Sequence, residues 1–267
     1  MMKIKILSNR NIIFMLALIS LVNVSNAQEM ANNIKETSVT IGFGAISVAR
    51  YSGADEQSVF FAPLFHIQHD SFFLDSVNGV GVHWENDDGF YFEPSLGYSL
   101  GRADKKSSWR QGSDKLKGLG NIAPSLNTSI ALGWAIASWF VLEGKATLPI
   151  SDSQGVSYAA TINLIPFVDE SNSVTVHASS LFGDARYMNT LYGINNTQST
   201  RSGYDRYNTT AGYYGLNSGV VWSHQFSEHW GGRFSIDYTW LDNHAANSPI
   251  VKRRGGTTSS FVASYTF

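Results

Sequence analysis

The histidines are the residues of this chain that most readily suggest chemistry, and there are seven of them. His66 and His69 have a spacing that would suit zinc on a helix, but on a strand their side chains point to opposite faces. His66, His83 and His177 lie on the polar faces of predicted strands. Glu85 lies on the same face as His83. The sequence leaves open whether these three histidines converge.

No pattern typical of catalysis accompanies the histidines. We recognise in the sequence no Ser-His-acid arrangement, no phosphate-cradling glycine loop and no metal-ligand cluster. We therefore predict that the protein is not an enzyme. We also predict no catalytic residues, no cofactor-binding residues and no metal-binding residues.

The elements that must position these side chains are strands in which apolar and polar residues alternate. From Phe90 to Leu100 every second residue is apolar, while Glu93 and the residues after it on the other face are small or polar. A period of two is the signature of a pleated strand. It places Tyr214 on an apolar face together with Leu216. The same period recurs over 122–136, 140–150, 214–226 and within the segment 229–241.

The length and composition of these segments indicate an all-β fold, a transmembrane antiparallel β-barrel. Each has about 10 residues or more, the length that a tilted strand needs to cross a bilayer. Leu132 and Ile162 are predicted to face lipid, and Thr161 and Asn127 to face inward. Charged residues lie mid-segment on the small-residue face, which suits a polar lumen, and they include Glu143, Lys145, Arg233 and Asp237.

The overall composition agrees with a barrel and excludes other classes. Charged residues make up 15 % of the chain, well below the ~25 % of ordinary soluble domains. A formal net charge of −2 leaves no basic footprint for a nucleic-acid partner. Cysteine is absent, which excludes a disulfide framework and a lipid-modified N-terminal cysteine.

The predicted number of strands is 12, with 10 as the alternative if one segment is misread. The uncertain stretch is 71–86, which reads as one strand or as two short ones around Asn78-Gly79. Bacterial barrels have an even number of strands, periplasmic termini and long outer loops. An even total therefore favours two short strands in this stretch. Residues 227–230 then form an inner turn. The long polar segments 51–57, 103–120, 185–207 and 242–255 all fall outside.

The two ends of the chain carry further predictions. Residues 1–27 read as a cleavable signal peptide, with a basic start, an apolar run over 12–22 and small residues at Ser25 and Ala27. Residues 28–267 then form a single barrel domain in the outer membrane of a Gram-negative cell. The last strand, ending at Phe267, must pair with the first, Ser38 to Val48, because a sheet survives in lipid only when closed. The terminal aromatic residue also resembles an outer-membrane assembly signal.

One predicted outer loop is basic. The segment 101–121 has two acidic residues and six basic ones, which are Arg102, Lys105, Lys106, Arg110, Lys115 and Lys117. These cations would bind lipopolysaccharide phosphates through charge-assisted hydrogen bonds, or the loop is merely solvated. The predicted partners therefore begin with outer-membrane lipid and lipopolysaccharide.

Several loop motifs resemble the MipA/OmpV family of outer-membrane proteins. They are "YSGADE" (51–56), "GYSLGR" (97–102), "LKGLGNI" (116–122), "LYGINNTQSTRSGYDRY" (191–207) and "NHAANSPIV" (243–251), in the family's order. One departure is Asn121, where the family usually has an acid. The resemblance implies a barrel, no catalytic residues, and partnership with a murein synthase and a lytic transglycosylase. We therefore expect a non-enzymatic scaffold, with a narrow porin for small solutes or an adhesin acting through outer loops as alternatives.

Overall fold

The computed structural model describes residues 37–267, so the predicted signal peptide lies outside the described residues. The strands are β1 (Ser38–Ala49), β2 (Gln57–His69), β3 (Phe72–Asp75), β4 (Gly79–Val82), β5 (Trp84–Glu85), β6 (Phe90–Ser99), β7 (Ser125–Ala137), β8 (Phe140–Pro149), β9 (Ser157–Val168), β10 (Asn172–Gly183), β11 (Gly212–Gln225), β12 (Trp230–Leu241) and β13 (Gly255–Thr266). All pairings between them are antiparallel and join neighbours in one sheet.

The sheet closes on itself into a barrel. β1 pairs with β13 over eight residues, and the backbone N–H of Phe267 donates to the carbonyl of Val39 at 3.0 Å. On the other side β4 and β5 both pair with β6. β4 and β5 therefore form one wall strand, and the barrel has 12 strands, as the parity of the sequence segments predicted.

A proline explains why that wall strand is interrupted. Gly81 lies opposite Ser95, and Trp84 lies opposite Phe92, so a continuous register would place Val82 opposite Pro94. Proline has no N–H to donate to the ladder. The hydrogen bonding therefore stops at Val82 and resumes at Trp84.

The outer surface of the barrel is a belt of exposed apolar side chains. Leu132 is 60 % exposed, Phe43 is 58 % exposed and Ile162 is 45 % exposed, as expected for lipid-facing positions. Every backbone group in hydrocarbon must be paired, and a closed barrel satisfies this requirement along its ladders. The alternation, the belt and the closure together identify an outer-membrane β-barrel.

The prediction that Tyr214 faces lipid is wrong. Leu181 pairs with Gly215 and Phe182 pairs with Tyr213, so Tyr214 is the extra residue of a β-bulge. A bulge reverses the direction in which the next side chain points. Tyr214 is consequently buried, where it packs with Met188.

Within residues 37–267 there are three α-helices, and all lie in loops at one end of the barrel. They are α1 (Ala185–Tyr192), α2 (Asn196–Ser202) and α3 (Asn243–Ala246), and a 3₁₀ turn covers Asp114–Leu116. Within residues 37–267, no helix has the length and apolar character needed to cross a membrane. Because both ends of the described chain lie at the opposite end of the barrel, the helical end is the outer one.

Candidate functional site

Four loops fold together over the outer end of the barrel, and we call them the outer cap. The cap comprises residues 50–56, 100–124, 184–211 and 242–254. It has a core of its own that draws on all four loops, and the residues of that core, each at most 6 % exposed, are Tyr51, Ala54, Leu116, Leu119, Ile194 and Ile250.

The order of strands shows that the cap lies across the mouth of the barrel. The loops 50–56, 100–124 and 184–211 join strand pairs that are separated by equal thirds of the 12-strand ring. Loops at such separations can share one core only near the barrel axis. The Gln198 side chain, for example, donates to the carbonyl of Leu119 at 2.8 Å. The cap therefore closes the straight path from the outside into the lumen.

A buried polar network joins the loops around Arg102. Its guanidinium donates to the carbonyl of Leu191 at 2.9 Å. The Tyr192 hydroxyl is hydrogen-bonded to Ser52 Oγ at 2.7 Å, and Ser248 Oγ donates to the carbonyl of Tyr192 at 2.6 Å. These residues come from four different loops, so the network fixes the loops relative to one another.

Burial shifts the pKa values of the ionisable groups in this network but leaves their protonation states at neutral pH unchanged. Arg102 is 8 % exposed, and desolvation lowers its pKa to about 10. Burial raises the pKa of the Tyr51 and Tyr192 hydroxyls. At neutral pH the guanidinium therefore stays charged and both phenols stay protonated.

Local capping explains why the loop 184–211 is helical. The Asp184 side chain accepts from the backbone N–H of Tyr187 at the start of α1. Asn195 and Gln198 form a reciprocal capping box at the start of α2. α2 ends at Gly203, whose φ of 75° suits glycine. The motif "LYGINNTQSTRSG" is thus a helix-initiation and helix-termination pattern.

Asn121, the departure from the family pattern, has a structural role. Its side-chain oxygen accepts from the backbone N–H of Asp104 at 3.0 Å and pins the two ends of the loop 100–124 together. A carboxylate oxygen could accept the same bond, so the exchange of acid for amide preserves the contact.

The lumen histidines have separate carboxylate partners. His83 Nδ1 lies 2.9 Å from Glu93, and His177 Nε2 lies 2.9 Å from Asp237. His66 Nδ1 lies 4.0 Å from Asp75. Within residues 37–267, no group of three or more His, Asp or Glu side chains is placed to hold a metal ion. The predicted inward orientation of the three histidines is confirmed.

The inner part of the lumen is filled by aromatic rings that lie against glycines. A Cβ at Gly133 would come within 2.0 Å of the Tyr91 ring, and a Cβ at Gly81 within 2.3 Å of the Phe73 ring. The Tyr91 hydroxyl donates to Glu143 at 2.7 Å. Glycine is required at these strand positions because a ring occupies the place of its side chain.

This packing leads to a test with a matched control. Gly133→Ala should lower the free energy of unfolding by about 1–3 kcal/mol, because the methyl group overpacks against Tyr91. Gly144→Ala on the neighbouring strand should be close to neutral, since nothing lies within 4 Å of its Cβ position. Urea titration in lipid vesicles measures both, and equal effects would contradict the proposed close contact.

A cavity of about 580 Å³ occupies the lumen and reaches the inner ends of β9 and β10, where Val168 and Ser173 line it. Its polar lining includes His66, Lys145, His177, Arg233 and Asp237. The mid-segment charges predicted to face a polar lumen therefore do so.

The charges at the two ends of the barrel are of opposite sign. The inner turns carry exposed acids, which we call the inner rim: Asp70, Asp87, Asp88, Asp169, Glu170 and Glu228. Within residues 37–267, every Lys and Arg lies in the outer loops or in the lumen, and none lies in an inner turn. The exposed outer cations are Lys105, Lys106, Lys117, Arg186, Arg201, Arg206, Lys252, Arg253 and Arg254.

Sequence reasoning missed the shared core of the cap and the acidic rim. The rim was readable from the sequence, since each predicted inner turn could have been scored for charge. The cap core was not, because nothing in a loop's own sequence states which other loops it meets.

Comparisons with known proteins agree with the barrel. The family model described as MltA-interacting protein MipA matches residues 41–267. No curated protein matches the chain in sequence.

Similar solved structures include the NanC porin, with 9 % identity, 86 % of this chain and 99 % of that chain covered, and a TM-score of 0.41. OprB of Pseudomonas putida has 6 % identity, coverages of 91 % and 96 %, and a TM-score of 0.43. The translocator domain of the autotransporter NalP from Neisseria meningitidis has 11 % identity, coverages of 90 % and 92 %, and a TM-score of 0.41. Similarity at this level carries no functional argument.

Proposed function

The chain belongs to the family of MltA-interacting protein MipA, and from this membership and its charged inner rim we propose that it is a non-enzymatic outer-membrane scaffold. Its partners are a murein-cleaving lytic transglycosylase and a murein synthase. Both act on the periplasmic side, so they would meet the inner end of the barrel.

The inner rim is the single observation that carries this proposal. Its acids are exposed on separate turns and surround the inner opening without a Lys or Arg among the described residues of those turns. A ring of one sign of charge attracts and orients a partner of the opposite sign. The short turns offer little apolar area, so the complementary surface of the partner would be basic.

Asp169 of the inner rim keeps its charge in mildly acidic solution. Asp169 accepts backbone N–H bonds from Ser171 at 2.8 Å and from Asn172 at 2.6 Å, and these bonds lower the pKa of Asp169. A carboxyl whose pKa is lowered in the folded state stays ionised until the pH falls through that lowered value. The attraction of Asp169 for a basic partner should therefore persist at about pH 5.

The outer end suits a different contact. The exposed cations of the cap would meet the phosphates of lipopolysaccharide in the outer leaflet, since Arg and Lys bind phosphate through charge-assisted hydrogen bonds. This contact would anchor the cap against the lipid surface. The closed cap also favours a binding role over a porin, because the lumen lacks a straight outer exit.

The test neutralises the rim and leaves the barrel intact. The triple variant Asp87→Asn, Asp88→Asn, Glu170→Gln should retain at least tenfold less lytic transglycosylase and murein synthase than the parent in a pulldown from solubilised membranes. Retention by the parent should also fall as salt is raised, since exposed charges are screened. The control is the outer triple variant Asp104→Asn, Asp152→Asn, Asp205→Asn, which should retain the enzymes as the parent does.

Two results would contradict the proposal. If the parent retains no murein enzyme at low salt, the scaffold role is wrong. If the rim variant retains as much enzyme as the outer variant, docking does not use the rim. Discrete conductance steps from the parent protein in planar bilayers would favour the porin instead.

A further inference from the structure

The barrel wall has a gap in its outer half. β2 has 13 residues, but only His66 to His69 of it pair with β3. β4 pairs with β6 only at Leu96 and Ser95, because the β3–β4 hairpin turns back at residues 76–78. Above that turn, residues 58–64 of β2 face β6 across an opening that we call the side gap.

Contacts define the lower and upper limits of the side gap. At its lower end the backbone N–H of Phe65 donates to Ser76 Oγ at 2.8 Å, and the backbone N–H of Ser76 donates to the carbonyl of Phe65 at 3.1 Å. At its upper end the cap reaches across to β1, where Gln111 donates to the carbonyl of Ala49 at 3.1 Å. The gap is therefore a bounded window in the wall.

The sequence of β2 fits an open edge. Successive residues of a strand direct their N–H and C=O groups to alternate sides, so Pro63 has the same orientation as Phe65 and faces the gap. An unpaired N–H in hydrocarbon is costly, and proline has none. Proline at this position removes one donor that would otherwise be unpaired.

β2 is also apolar on both faces beside the gap. Val59, Phe61 and Phe65 are exposed toward lipid, at 57, 68 and 41 % respectively. The alternate residues Phe60, Ala62 and Leu64 face the lumen, where Ile46 of β1 adjoins them. A lumen wall of a barrel is ordinarily polar, so an apolar stretch next to an opening marks a surface for an apolar group.

The side gap leads into the cavity of about 580 Å³. The cavity is lined by Phe65 and Val77 at the edges of the gap and by Lys145 and His177 in the lumen. One continuous space therefore passes from the lipid side of the wall to the polar interior. Its volume falls within the range of sites for small ligands.

The polar end of this space offers donors to an anion. His66 is 2 % exposed, and neither ring nitrogen has a hydrogen-bond partner within residues 37–267. The Lys145 ammonium donates to the neutral side-chain oxygen of Asn78 at 3.2 Å.

The lumen acids near these donors are already engaged. Asp75 accepts the backbone N–H groups of Val77 and Asn78 at the tip of the hairpin, at 2.7 and 2.5 Å. Glu143 accepts from Tyr91, and Asp237 is bonded to His177. His66 Nδ1 lies 4.0 Å from Asp75 Oδ2, beyond hydrogen-bond distance, and its ring nitrogens make no hydrogen bond within residues 37–267. An acceptor-only anionic head group therefore matches the Lys145 ammonium, with the unbonded ring of His66 beside it.

We propose that this cavity binds a single-chain amphiphile with an anionic head, which enters from the outer leaflet through the side gap. The chain lies along Ala62 and Leu64, and the head lies at Lys145 and His66. Because the cap closes the straight outer path, the side gap is the route from the outer leaflet. This site is independent of the inner rim and of any murein enzyme.

The probe is dodecanoate, with dodecyltrimethylammonium as the cationic counterpart of the same chain length. Native mass spectrometry of the full barrel, released from non-ionic detergent at pH 8, counts the bound molecules. We expect one dodecanoate per barrel and at least tenfold weaker binding of the cation. Ala62→Trp, which fills the apolar wall, and Lys145→Gln, which removes the charge, should each weaken dodecanoate binding at least tenfold. Lys117→Gln on the exposed cap should leave it unchanged.

Each contrary outcome identifies what is wrong. Equal binding of dodecanoate and dodecyltrimethylammonium would overturn the anionic head. Unchanged binding by a folded Ala62→Trp barrel would place the probe on the outer belt, and absence of a retained dodecanoate would overturn the site.

Because the chain lacks cysteine, Ala62→Cys and Ala159→Cys test the route. A maleimide carried on a bilayer-confined acyl chain should modify Cys at the gap at least tenfold faster than Cys at the unbroken opposite wall, and equal rates would overturn entry through the gap.

Discussion

Ile162→Arg should lower the free energy of unfolding in lipid vesicles by ~2–4 kcal/mol, the cost of arginine at the lipid-facing midplane of a barrel. Ile162 lies in the middle of β9 with 45 % of its side chain exposed to lipid. Leu132→Arg on β7 should behave in the same way, since Leu132 is 60 % exposed. Denaturant titration followed by tryptophan fluorescence measures both.

The preceding residue provides the control at equal depth. Thr161 points into the cavity and is hydrogen-bonded to Ser179 at 2.8 Å. Thr161→Arg should cost only about 1 kcal/mol, the worth of that hydrogen bond, because a water-filled lumen solvates the guanidinium. Equal losses for Ile162→Arg and Thr161→Arg would show that the two faces of β9 are assigned wrongly.

Leu116→Ala should open the outer cap while the barrel remains folded. Leu116 is fully buried in the shared core of the cap, and removing a buried leucine side chain costs about 2–5 kcal/mol. This loss falls on the loops and not on the strand ladders, so the cap should be cleaved by protease at least tenfold faster. Mass spectrometry should locate the cuts within residues 184–211, and heat-modifiable migration of the barrel should be retained.

A leucine of the same loop separates the core from the surface. Leu100 is 46 % exposed, so Leu100→Ala should leave the rate of cleavage within twofold of the parent. If Leu116→Ala is as resistant to protease as Leu100→Ala, the four loops do not form one cooperative unit.

Much of the barrel was predictable from the period of two. Side chains on a strand alternate between faces without exception until a bulge occurs, so the lipid-facing positions of Leu132 and Ile162 follow from sequence spacing alone. The pairing of β1 with β13 was predictable for a different reason, since an edge cannot persist in hydrocarbon. Tyr214 was placed wrongly because a bulge depends on the partner strand, which local spacing does not contain.

The loop motifs that resemble the family were visible one by one, but their common purpose was not. Tyr51, Leu116, Ile194 and Ile250 belong to four separate motifs and meet in one core. They meet because the closed ring places their strands at regular intervals around a shared axis, a property of the assembled sheet.

The sequence by itself determined the strands, most of their faces and their even number, and it also contains the opposite charges of the two ends, although our sequence reasoning missed the acidic rim. Each of these follows from chain-local rules: the pleat, the bilayer thickness and the position of charged residues in turns. Only the tertiary structure decided that the cap closes the mouth, that each of the three lumen histidines lies beside its own carboxylate and that the wall opens beside Pro63. These depend on the register between strands, and register is set by pairing across the sheet, where residues distant in the chain come together.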